Sequence, residues 1–75
     1  MVAWSVEIDS MSCVVFAATA AKARYVAVRA YWEAGYGSRR TWPRAVAWRE
    51  PRFDASPLKA RPNNCYCREY VQEVS

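Results

Sequence analysis

Histidine is absent from this 75-residue chain, and glycine occurs only at Gly35 and Gly37. Without imidazole there is no Ser-His-Asp or Cys-His nucleophile system, no histidine metal site, and none of the commonest general base. Two glycines so close together cannot build a Gly-rich phosphate loop. Long apolar runs are missing as well. The longest, Cys13 to Ala21, contains Thr19 and stops at Lys22, far short of the roughly 20 residues that span a bilayer. No basic region precedes an apolar segment at the start, where Glu7 and Asp9 stand instead, so a secretory signal is not expected. The three cysteines are odd in number, which together with that absence points to reduced thiols in a cytoplasm. The expectation is a non-enzymatic protein that needs no cofactor and no membrane.

What is present is apolar and aromatic. Hydrophobic residues make up 53% of the chain, with four Trp and five Tyr, too rich for a disordered segment. The length fits one domain, and a chain this short buries only about 60% of its unfolded surface. Large aromatic side chains help such a core gain contact area; a homodimer is another route. The net charge of +4 is concentrated in the middle. Glu7 and Asp9 are the only charges before residue 22, and charges from Glu50 onward cancel. Lys22, Arg24, Arg29, Arg39, Arg40, Arg44 and Arg49 face only Glu33 between them. Arginine forks suit carboxylates and phosphates, although an Arg- and Ala-rich, Lys-poor chain is also what a GC-rich genome encodes.

VAWSVEID alternates, with Val2, Trp4, Val6 and Ile8 on one side, the period of a half-buried strand. Ser10-Met11-Ser12 reads as a turn, and CVVFAA as a second strand pairing antiparallel with the first. Thr19 is placed to cap a helix. From Ala20 the period becomes helical, with Ala20, Ala23, Ala27, Ala30 and Ala34 on one face, flanked by Val26 and Tyr31. Small residues in a row let a helix lie close to a sheet. Lys22, Arg29 and Glu33 fall on the solvated back, Arg29 and Glu33 at i,i+4 spacing, and Gly35 or Gly37 ends the helix. Gly37 to Pro43 is a loop. RAVAWRE alternates as a third strand stopped by Pro51, and Pro57 and Pro62 with Asn63-Asn64 make 52–64 extended and irregular. CYCREYVQEV fits a strand or a helix, with a lean to a strand or extended tail. The expected fold is α+β: a single small domain, β-β-α-β, with one helix packed on a small antiparallel sheet. Residues 1–54 form the core and 55–75 a Pro-containing extension that packs on it. Trp4, Val6, Ile8, Val14, Phe16, Val46 and Trp48 are expected to meet the alanine face.

Few residues carry chemistry. Glu7 and Asp9, at i,i+2, share a strand face and are a cation candidate whose plain reading is solvation. Cys65 and Cys67 are the metal or thiol-switch candidates, but structural zinc takes about four ligands and only Cys13 remains, unless two copies pool their thiolates. The basic loop is more informative. Arg39, Arg40, Trp42 and Arg44, with Tyr36 beside them, combine residue types enriched at protein interface hot spots. The same region, 39–49, gives the alternative of a small nucleic-acid-binding protein, since arginines neutralise phosphates and tryptophan stacks on bases. An isoelectric point of about 9.3 is modest for that role, and no nucleic-acid-binding signature is present.

Ala20–Tyr25 (A-x-K-A-R-Y), Glu33–Tyr36 (E-A-G-Y) and Arg49–Asp54 (R-x-P-x-F-D) resemble the motifs of a family of small bacteriophage and prophage proteins. The resemblance covers roughly residues 14–54 and leaves the C-terminal cysteines outside it. It implies phage or prophage origin and action in a bacterial cytoplasm, and supplies no activity. The combined expectation is an accessory protein that binds a host bacterial protein with an acidic surface, as an anti-defence or host-takeover inhibitor.

Overall fold

The computed structural model describes residues 1–75 as a four-stranded antiparallel sheet between two unequal layers. The α+β class and the single small domain are as the sequence suggests. Strand β1 (Val2–Ile8) turns through Asp9-Ser10 into β2 (Met11–Ala17), with Val2 opposite Ala17 and Ile8 opposite Met11. Asp9 takes the positive φ of 52° that this two-residue turn requires. Helix α1 (Ala20–Glu33) then crosses the sheet to β3 (Ala45–Arg49), which pairs with β1. Two short 3₁₀ turns, Pro51–Phe53 and Pro57–Ala60, lead to β4 (Cys65–Cys67) beside β2, and α2 (Arg68–Val74) closes the chain. The strand order is β3-β1-β2-β4. No helix is long and apolar enough to cross a membrane.

Helix α1 begins where its cap dictates: the Thr19 hydroxyl accepts from the Lys22 amide at 3.2 Å. Its buried residues are Ala23, Ala27, Val28 and Tyr31. The alanine face is therefore turned inward but rotated, with Val28 inside and Ala34 outside. It lies on Val6, Ile8, Cys13, Val15 and Ala17. Tyr31 donates from its hydroxyl to Asp9 Oδ2 at 2.7 Å, tying the end of α1 to the β1–β2 turn.

The opposite face of the sheet is also a core. Ala3, Val14 and Phe16 pack with Phe53 and Val71, and Leu58 and Tyr66 border them. This corrects two expectations. Val14 and Phe16 point away from α1, because side chains alternate along β2 and Cys13 and Val15 face the helix. The C-terminal segment is not an extended tail; its 3₁₀ turns, short strand and α2 cover that second face. Ser5 is buried there and accepts from Arg68 Nη2, while Arg68 Nη1 lies 3.0 Å from Glu50 Oε1. Burial alone would raise the Glu50 pKa, but Arg68 and Arg52 outweigh it and hold it below the ordinary value.

Strand β3 departs from expectation in the same way. Ala45 and Ala47 pack toward α1, and Val46 and Trp48 project from the other face, 47% and 40% exposed. The layer of α2 and the 3₁₀ turns does not reach them. Small residues face the helix on β3 for the reason they do on α1, since the helix crosses close to the sheet.

Candidate basic-aromatic surface

At 100° per residue, Tyr25 and Trp32 share one flank of α1, while Val26 and Ala30 share the other. Val26 and Ala30 line an open groove of about 300 Å³ with Asn63, Asn64 and Cys65, next to β4. Tyr25 sits toward the back of the helix and also borders that groove, whereas Trp32 lies on the β3 side, where it lines a hollow with Pro43 and Arg44. Loop 34–44 folds back over that flank. It leaves α1 through Ala34 and Gly35, whose φ is +90°, and bends again at Gly37, φ +61°, where a Cβ would sit 3.1 Å from the Tyr31 ring.

The loop is held by rings. Tyr36 stacks on Tyr31 at 5.5 Å and 24°. Trp42 lies nearly parallel to Tyr25, at 6.2 Å and 17°, and edge-on to Trp32 at 5.2 Å. Such pairs add about 0.5–1.5 kcal/mol each beyond area burial. Even so, Trp42 and Tyr36 are each 57% exposed. Cations surround the rings: Arg39 sits over Trp32 at 5.8 Å, and Lys22 and Arg29 over Tyr25 at 5.3 and 5.9 Å. The Trp32 indole N–H is buried without a hydrogen-bond partner, so the loop closes over this ring at a polar cost of about 1–3 kcal/mol.

All five residues singled out in the sequence, Tyr36, Arg39, Arg40, Trp42 and Arg44, are exposed. Arg39, Arg40 and Arg44 take part in none of the ion pairs, which join Arg29 to Glu33, Arg49 to Asp54, and Glu50 to Arg52 and Arg68. Sequence reading missed Tyr25 and Trp32, which anchor the loop; their seven-residue spacing on one helix flank is the signal that marks them.

The other candidates separate. Glu7 lies on β1, whereas Asp9 lies in the turn and is engaged by Tyr31, so the two carboxylates do not form a strand-face pair. Register sets Cys13 opposite Cys67, with Cys65 two residues before it on the same sheet face. All three are free thiols, and no group of three or more metal-ligating side chains converges anywhere. The neighbouring Cys65 and burial push the Cys13 thiol up, while that contact draws Cys65 down. Cys67 Sγ donates to Glu69 Oε2 at 2.8 Å.

No family model matches the chain, and no curated protein or solved structure is similar to it.

Proposed function

We propose that this protein is a non-enzymatic binding module of phage or prophage origin. It docks on an acidic surface of a host bacterial protein and alters that protein's action, as an anti-defence or host-takeover inhibitor. The observation that carries the reading is Trp42, braced by Tyr25 and Trp32 yet more than half exposed, among arginines that no carboxylate of the chain neutralises. A ring fixed by its neighbours loses little freedom on binding, and Trp, Tyr and Arg supply most hot-spot energy at interfaces. Free guanidinium groups complement carboxylates bidentately.

Nucleic acid suits this surface less well than protein. The Tyr25 and Trp42 rings face each other, which removes one face of each from stacking on a base. The test compares tagged wild type with Arg39→Glu/Arg40→Glu and with Trp42→Ala in bacterial lysate. One stoichiometric partner that is lost with both variants supports the reading. No partner, or the same partners with all three proteins, refutes it. A low-salt mobility shift that weakens steeply as salt rises would assign the surface to nucleic acid instead.

A further inference from the structure

We propose that a second copy of this chain pairs with the open edge of β3, antiparallel and centred on Ala47, to make one continuous sheet from two molecules. Strand β3 ends the sheet, so one side of its backbone meets no other strand. Which groups face outward follows from the register. The Glu50 amide donates to the Ala3 carbonyl at 3.0 Å, which makes residue 50 part of a hydrogen-bonded pair with β1. Bonded and unbonded pairs alternate along antiparallel strands, so Trp48 and Val46 also direct their backbone groups at β1. Ala45, Ala47 and Arg49 direct theirs to the open side.

A two-fold axis at Ala47 places Ala45 opposite Arg49 of the copy and Ala47 opposite itself. All three outward-facing residues then exchange N–H and C=O groups with one another. No other antiparallel self-pairing permitted by that alternation uses all of them. The same register sets Val46 opposite Trp48 of the copy, twice, in unbonded pairs, where side chains approach most closely. These are the two apolar side chains of β3 that the fold leaves exposed, at 47% and 40%. Arg44 and Glu50 flank the strand. Glu50 is already bridged to Arg52 and Arg68, so what the antiparallel arrangement secures is that the unpaired Arg44 residues of the two copies lie at opposite ends, where parallel pairing would set them side by side. Charges or proline along the strand are one common guard of an edge that stays single; between its flanking charges β3 reads Ala-Val-Ala-Trp, followed by Arg49, whose guanidinium is held by Asp54.

The test uses the purified chain alone, so its outcome is independent of whether a host partner exists. Sedimentation across a range of concentrations should show mass rising to twice that of the chain. Hydrogen exchange should slow at the Ala45, Ala47 and Arg49 amides as the dimer forms. Val46→Glu alone or Trp48→Lys alone should weaken association about tenfold, since each disrupts two cross-strand pairs. The double substitution sets Glu against Lys in both pairs and should restore it. Circular dichroism checks that each variant folds, and should Trp48→Lys fail, Val46→Glu and the exchange data still decide. A chain that stays monomeric, a dimer in which those three amides exchange fast, or a double variant no better than the singles overturns the proposal.

Discussion

Truncating Val71 to alanine is the sharpest test of the double-sided sheet. Val71 is fully buried on α2 and packs against Phe16, Phe53, Val14 and Ala3. The change removes two methyl groups, about 1.6 kcal/mol at 0.8 kcal/mol per buried carbon. Incomplete collapse of the cavity brings the expected loss to about 2 kcal/mol. A chain of this length is stable by only about 4–11 kcal/mol, so the effect is a large fraction of the total. Three residues along the same helix, Val74 is 38% exposed, and Val74→Ala should change stability by no more than about 0.5 kcal/mol. Urea unfolding followed by tryptophan fluorescence measures both. In a thermal melt, the Val71 variant should fall by roughly 8–16 °C. Equal, small effects from the two variants would mean that α2 does not cover the sheet, and the second core would have to be abandoned.

Three further outcomes follow from named contacts. The Arg49 guanidinium, 2.7 and 2.9 Å from the two Asp54 carboxylate oxygens, together with the Ala3 amide at 2.8 Å, holds the Asp54 pKa at about 2, below its ordinary 3.8. A depressed folded-state pKa stabilises above 3.8, and that stabilisation is lost as pH falls from about 4 toward 2. Stability measured against pH should decline through that window, and Asp54→Asn should flatten the decline. Gly37→Ala should destabilise by about 1 kcal/mol or more in chemical denaturation, because φ is +61° and the new Cβ crowds Tyr31. Thr19→Ala should cost about 1 kcal/mol by removing the cap of α1.

The legible parts of the fold are those fixed by local pattern. Alternation in VAWSVEI marks β1, and Thr19 followed by alanines at helical spacing marks α1 and its inward face. Residues 13–17 of β2 are apolar at every position because both faces are buried, so alternation vanished and nothing local said which side chains met the helix. On β3 size misled: Val46 and Trp48 are larger than Ala45 and Ala47, yet close approach by α1 selects the alanines. The C-terminal segment was ambiguous because a three-residue strand and a seven-residue helix are each too short to establish a period. For the candidate surface, the cluster of arginines showed itself in the charge distribution. The support beneath it did not, since Trp42 meets Tyr25 and Trp32 across 17 and 10 residues of chain.

A photoreactive phenylalanine analogue at Tyr36, compared with one at Tyr70 on α2, tests the binding surface most directly. In living bacteria the Tyr36 probe should form one dominant cross-linked adduct, abolished by Arg39→Glu/Arg40→Glu, and the Tyr70 probe should not form it. Diffuse adducts, or one that survives the charge reversal, would contradict a binding surface built on the 36–44 loop.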